Sequence, residues 1–485
     1  MVNLDVIRER LFRTQVVFTA CALCAFVILG IQSTFSIPPF QIPDESRHWI
    51  GAVARTNSLT SFFGGSSKKP ECSVEFGLIA KMAQDNLAFQ ATNRIPTNTF
   101  GSLGETTKEC KSSDLLYGNL FTYPGVIVSK LILKAEDKRA FAALTGFYVS
   151  RIIHGLLVFV LFARLLTLAF RAKFMPIGVV LLAGLATSPL FVQQSFAVSG
   201  DPICFMLVLS LLSLIFFPSL VTRFDVGMAV MFAVVASHTK PPMALFALSA
   251  AVLMFFRGGA TSYRVALYSI VLASVLGSIS VGLSYGASNP SSHPDAPSGI
   301  SMGQQIAFMI DNPRAAFQAI NRATAAVLGI DQVAHPLGWV DTFLPARVLS
   351  TWHAILWLAL ILEVGGLLQV RWAVDSLKQW GNALSQSVIF LLGIYVATLA
   401  TPLILYLAWT PVGAAGVDGM QSRYLFPSLF LMTAALCPLY RSDRHSESLS
   451  PIKYHLEALV IVPLMTLLCA LYVSELHIAV IARYW

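Results

Sequence analysis

Asp44 and Glu45 are adjacent carboxylates in the segment Pro43-Asp44-Glu45-Ser46-Arg47-His48, beside an arginine and a histidine. The segment follows the apolar run 15–37, so the acids lie where the chain leaves a membrane. A carboxylate partly stripped of water there has a raised pKa, which suits a general base. Pro43 is a fitting first helical residue, and Asp44 and His48 then share a face at i, i+4. Helix capping competes with this role and stabilises by about 0.3–1 kcal/mol. It accounts for one acid, not for two beside Arg47 and His48. Asp44 and His48 offer a divalent metal two ligands, too few to define a site. The chemistry calls for no cofactor.

Four further segments carry groups that hold anions or sugars. In Ser199-Gly200-Asp201-Pro202, Asp201 is either the cap of a helix opened by Pro202 or a functional carboxylate. Lys240, in His238-Thr239-Lys240-Pro241-Pro242, and Arg423, in Gln421-Ser422-Arg423-Tyr424, either meet lipid headgroups or hold a specific phosphate. The segment from His335 to Pro345 contains Trp339 and Asp341. Trp339 suits a membrane-interface belt or the face of a sugar, and Asp341 a turn or a substrate hydroxyl.

The elements that must position these groups are membrane spans. Hydrophobic residues make up 56% of the 485 and charged residues 12%, against about 25% charge in a soluble domain. Too little charge remains to cover a water-facing surface. This excludes a soluble enzyme, a secreted disulfide scaffold and a nucleic-acid-binding domain. About eleven spans are expected, at 15–37, 146–170, 174–193, 202–221, 225–239, 241–257, 264–286, 350–370, 386–408, 424–440 and 456–476. The first is too long for a signal-peptide core and lacks a cleavage site, so it stays.

Arg8, Arg10 and Arg13 place the N-terminus in the cytoplasm. Inner connections then hold Arg171, Lys173, Arg223, Arg257, Arg264, Arg371, Lys378, Arg441, Arg444 and Lys453, while short outer ones hold little beyond Lys240 and Arg423. An odd number of spans leaves the C-terminus outside. All the polar segments above then fall on the outer face, although the charge rule was applied without them.

Two outer loops, 38–145 and 287–349, are long. The first carries amphipathic stretches at 74–91 and 115–134 suited to a membrane surface, and the second a helix at 301–329. Cys72 and Cys110 share the first loop, where an oxidising compartment permits a disulfide. The one Cys-x-x-Cys pair, Cys21-Ala22-Leu23-Cys24, lies inside the first apolar run, and no P-loop or dinucleotide-binding glycine fingerprint occurs.

Taken together, the motifs resemble those of a family of bacterial polytopic membrane proteins of unknown function grouped with the GT-C glycosyltransferases. The resemblance rests on Pro38-Pro39, Pro43-Asp44-Glu45 and His48, then Ser199-Gly200-Asp201, Lys240, the segment Leu337 to Pro345 and Gln421-Ser422-Arg423-Tyr424-Leu425-Phe426-Pro427. Ser422 stands where the family usually has glycine. The resemblance covers residues 15–440 and implies an all-α integral membrane protein with a GT-C-type helical bundle. Residues 1–440 form its catalytic unit, and 441–485 an inner loop and a final span.

The implied activity moves a sugar from a polyprenyl-phosphate donor to a cell-envelope glycan or glycolipid, such as the O-antigen of lipopolysaccharide. It works outside the cytoplasmic (inner) membrane and usually inverts the anomeric centre. The resemblance makes Asp44 the base, with Glu45 second or positioning substrate. Arg423, Lys240 and His48 would hold the donor phosphate, with His48 alternatively tuning Asp44. Asp201, Trp339, Asp341, Gln421 and Tyr424 would line the sugar or acceptor site.

A flippase or transporter of lipid-linked saccharides is the first alternative. It needs charge inside the spans, which are nearly free of it apart from Arg164 near an inner end and Glu363 near the middle of the eighth, and this argues against transport. An O-antigen ligase or polymerase is the second, with functional residues expected in a late outer loop.

Overall fold

The computed structural model describes residues 4–37, parts of 42–52, 71–72, 108–109, 120–136, 139–172, 177–257, 261–287, 299–327, parts of 345–358, 377–435 and most of 466–479. These residues are overwhelmingly helical. The main helices are α1 (Leu4–Ser36), α2 (Tyr123–Glu136), α3 (Arg139–Arg171), α4 (Ile177–Ala186), α5 (Pro189–Ser195), α6 (Asp201–Phe216) and α7 (Arg223–Thr239). They continue with α8 (Pro242–Arg257), α9 (Thr261–Ala287), α10 (Met302–Asp311), α11 (Pro313–Val327), α12 (Leu377–Ala408) and α13 (Phe426–Met432). A two-residue antiparallel ladder pairs Glu71 with Glu109 and Cys72 with Lys108. It brings the stretch carrying Cys72 beside the one leading to Cys110, which itself lies outside the described residues.

Among the described residues, three helical stretches are long and apolar enough to cross a membrane: Val16–Ser36, Leu144–Arg171 and Leu384–Ala408. The expected count of eleven is therefore not established, and several expected spans take another form. The run 174–193 is broken, because Ser188 caps α5 and Pro189 opens it. Proline removes a backbone donor and crowds the preceding turn, which favours a break at this point. The expected helix at 301–329 divides at Asn312-Pro313 for the same reason. The expected span 424–440 begins with a 3-10 turn, Ser422–Leu425, followed by the seven-residue α13. The stretch 115–134 supplies α2, which packs antiparallel on α3. Gly125 and Gly146 allow that approach, since a Cβ at either would lie within 2.5 Å of the other's carbonyl oxygen.

α6 is the central helix, with every residue from Asp201 to Ile215 buried. α7 packs against α9, and α8 against α12. At the end of the bundle remote from Asp201, Arg164 forms a two-pronged ion pair with Asp225, each bond 2.8 Å. Asp225 also closes a capping box with Thr222 at the start of α7.

Phe196, in the turn between α5 and α6, fills a slot between α1 and α3. A Cβ on Gly30 would lie 2.3 Å from its ring and one on Gly155 2.1 Å. The ring anchors the chain just before Asp201. Gly155→Ala is expected to destabilise the protein by about 1–3 kcal/mol through overpacking. A lowered unfolding midpoint in detergent would show this; an unchanged one would mean that the slot is slack.

Candidate functional site

Four charged residues, distant in the chain, converge at one end of the bundle. Asp44 follows α1, Asp201 opens α6, Lys240 joins α7 to α8, and Arg423 lies in the 3-10 turn before α13. Arg423 is the hub. Its Nη2 donates to Asp44 Oδ2 at 2.5 Å and to the Tyr424 hydroxyl at 3.5 Å. Its Nη1 donates to Gln194 Oε1 at 3.4 Å, and its Nε lies 3.4 Å from Asp201 Oδ2. Lys240 Nζ donates to the other Asp201 oxygen. The Tyr424 ring lies beneath both cations, 4.6 Å from Lys240 Nζ and 5.3 Å from Arg423 Cζ.

Burial is the largest influence and works against both cations, but their neighbours together outweigh it. Asp201 leads them, with Tyr424 beside both cations and Asp44 beside Arg423, and the pKa of each stays above the ordinary range, so both remain charged. Asp201 does not cap its helix: Gly200 occupies that position and Asp201 the first turn. Gly200 is needed for the close approach. A Cβ there would lie 2.6 Å from Thr239 Cγ2 and 3.5 Å from Lys240 Cε.

Beside this cluster lies a cavity of about 170 Å³. Asp201, Lys240, Arg423 and Tyr424 form its polar part. One helical turn deeper the wall is apolar, with Phe205 of α6, Phe246 of α8, and Ile404 and Leu405 of α12. Pro402 sits in that stretch of α12 and lacks the N–H that would bond back along the helix, so α12 can bend beside the cavity. Cys204 and Thr239 also line it. Asp44 does not line it, but its carboxylate pairs with Arg423, which does.

Asp44 has φ +70°, the only left-handed non-glycine residue among those described. Aspartate tolerates that conformation better than most residues, at a cost of about 1–2 kcal/mol. Glu45, His48, Trp49 and Ala52 after it are helical, with the His48 N–H donating to the Asp44 carbonyl at 3.1 Å. Asp44 and His48 are thus on one turn, as expected, and His48 is buried near Gly200 and Lys240.

Glu45 points elsewhere. It is fully buried and accepts from Arg151 Nε at 2.9 Å, Arg151 Nη2 at 2.7 Å and the Val198 N–H at 3.1 Å. Arg151 Nη1 reaches the carbonyls of Thr34 and Ile37 at the end of α1. The geometry makes Glu45 a structural tie between α1, α3 and the turn before α6, in place of the expected second catalytic acid.

Gln421 precedes the 3-10 turn, and its Oε1 is buried with no hydrogen-bond partner among the described residues. Trp339 and Asp341 lie outside the described residues. Among the described residues no group of three metal-ligating side chains occurs.

Gln194 and Arg151 were not anticipated. Both had a signal: Gln193-Gln194-Ser195 closes an apolar run, and Arg151 with His154 interrupts the expected span 146–170. The spans are therefore less free of charge than the rejection of a transporter assumed. Polar groups at membrane depth are expensive and persist for a reason.

The model of a family described as a predicted membrane protein matches residues 26–432. No curated protein and no solved structure matches the chain.

Proposed function

The chain belongs to the DUF2142 family of predicted membrane proteins, and from that premise we propose that it is a GT-C-type glycosyltransferase. It takes a sugar from a polyprenyl-phosphate donor and delivers it to a cell-envelope glycan or glycolipid. The charged end of the bundle faces outward from the cytoplasmic membrane, with the N-terminus inside. The observation that carries this reading is the convergence of Asp44, Asp201, Lys240 and Arg423 beside an apolar-walled cavity.

Two magnitudes favour a membrane-bound donor. The cavity lies below the roughly 300–1,000 Å³ of ordinary small-molecule pockets. It takes a headgroup and leaves a long tail to the bilayer. The helices α6, α7 and α8, of 16, 17 and 16 residues, run about 24–26 Å at 1.5 Å per residue. That is short of the ~30 Å hydrocarbon core, so the charged cluster is sunk toward the lipid that carries the donor.

The chemistry follows from the residues. The acceptor hydroxyl oxygen attacks the anomeric carbon while its proton passes to Asp44. The bond from that carbon to the phosphate oxygen breaks, and the electron pair leaves with polyprenyl phosphate. Arg423 and Lys240 stabilise the charge that grows there. Attack opposite the leaving group inverts the anomeric centre. Asp201 holds both cations in place, and Tyr424 and Gln421 meet the sugar or acceptor.

Transport of the same lipid is the second reading, favoured by Arg151 and His154 buried within α3. Arg151 is fully occupied by Glu45 and two carbonyls, however, which suits a structural role. Incubation with a panel of polyprenyl-phosphate sugars and a crude envelope-glycan acceptor separates the two. Transfer should yield glycosylated acceptor and free polyprenyl phosphate in equal amounts. Donor binding without transfer from any sugar would favour transport.

A further inference from the structure

The donor phosphate and Asp44 compete for the same hydrogen-bond donors. Arg423 Nη2 donates to Asp44 and to the Tyr424 hydroxyl, Nη1 donates to Gln194, and Nε makes an ion-pair contact with Asp201. Two-pronged phosphate binding needs two parallel N–H groups on one edge, and Nη2 belongs to both such edges, so a phosphate bound in that way competes with Asp44 for Nη2.

Asp201 is 3% exposed and doubly held, by Arg423 and Lys240. Gln194 is buried, and its bond is long and uncharged. Asp44 is 36% exposed and bound through a strained backbone. Water can take over its carboxylate, and release can relax the turn, so it is the partner that yields. Asp44 does not line the cavity and its carboxylate is paired with Arg423, so in the empty protein the base is neutralised.

Resting on the glycosyl-transfer reading, we propose that the Asp44–Arg423 contact is a latch: donor phosphate displaces Asp44 from Arg423, and the base becomes free only once the donor is bound. Donor then binds before acceptor, and the empty enzyme holds no competent base that could activate water.

The test uses full-length protein in detergent with geranylgeranyl phosphate as the probe. Asp44→Asn, which retains shape but weakens the contact, should bind the probe about 3–10-fold more tightly than wild type. Loss of a nearby negative charge alone would also tighten binding, so a second readout is needed. Labelling of Asp44 by a water-soluble carbodiimide, mapped by mass spectrometry, should rise about tenfold when wild type is saturated with the probe. Tighter binding by the variant with this rise supports the latch. Probe binding with unchanged or slower labelling overturns the latch and leaves the transfer reading standing. So does weaker or equal binding by a normally melting Asp44→Asn. Failure of wild type to bind the probe at all overturns both.

Discussion

Arg151→Met is expected to destabilise the protein by about 3–5 kcal/mol, the usual effect of stripping a buried ion pair of one partner. Neither side chain of the Arg151–Glu45 pair is exposed to solvent. Removing the guanidinium takes two donors from the Glu45 carboxylate, which keeps the Val198 N–H, and deprives the Thr34 and Ile37 carbonyls of theirs. It also removes the cation seated 4.9 Å from the centre of the Phe147 ring. Because the pair ties the end of α1 to α3 and to the turn before Asp201, the loss should loosen the whole charged end. The partner change checks the cause. Glu45→Gln combined with Arg151→Met removes the stranded charge, so the double variant should be more stable than Arg151→Met alone. Denaturant titration in detergent measures both. A single variant as stable as wild type, or a double variant no better than the single, would show that the pair is not the tie described.

Arg423→Lys is expected to lower sugar transfer by about 10²–10³-fold in kcat/KM, comparable to losing one oriented donor to a developing oxyanion. The charge is kept, so the effect isolates geometry. Arg423 meets Asp44, Gln194, Asp201 and Tyr424 from three nitrogens in one plane. An ammonium on a flexible stem has three donors on one atom and cannot span them. Initial rates over a range of donor concentrations would show the loss. Wild-type kinetics in the lysine variant would mean that the donor phosphate is held elsewhere.

Much of this site was legible in the sequence, for identifiable reasons. Asp201, Lys240 and Arg423 break the apolar pattern at the ends of expected spans, and charge bias placed them with Asp44 on one face. The structure brings these four into one chain of ion pairs. Composition and apolar runs were enough to identify a membrane protein of predominantly helical build. They could not divide labour between Asp44 and Glu45. Neighbouring residues share every compositional feature, and only the left-handed backbone at Asp44 sends the two carboxylates to different partners. The Glu45–Arg151 bond joins positions 106 residues apart, beyond the reach of periodicity. The breaks at Ser188-Pro189 and Asn312-Pro313 were readable from proline chemistry, yet continuous apolarity or amphipathic spacing masked them. Helices as short as α6 and α8 also blur an element count that relies on stretches of about 20 residues.

The most direct measurement compares wild type with Asp44→Asn in sugar transfer from polyprenyl-phosphate donors to an envelope-glycan acceptor. Asparagine keeps the shape and cannot take the proton. Wild type should transfer, and a normally folded variant that still binds donor should be about 10²–10⁴-fold slower. Equal transfer by the two proteins would contradict the assignment of Asp44 as the base, and donor binding without transfer by wild type would contradict glycosyl transfer itself.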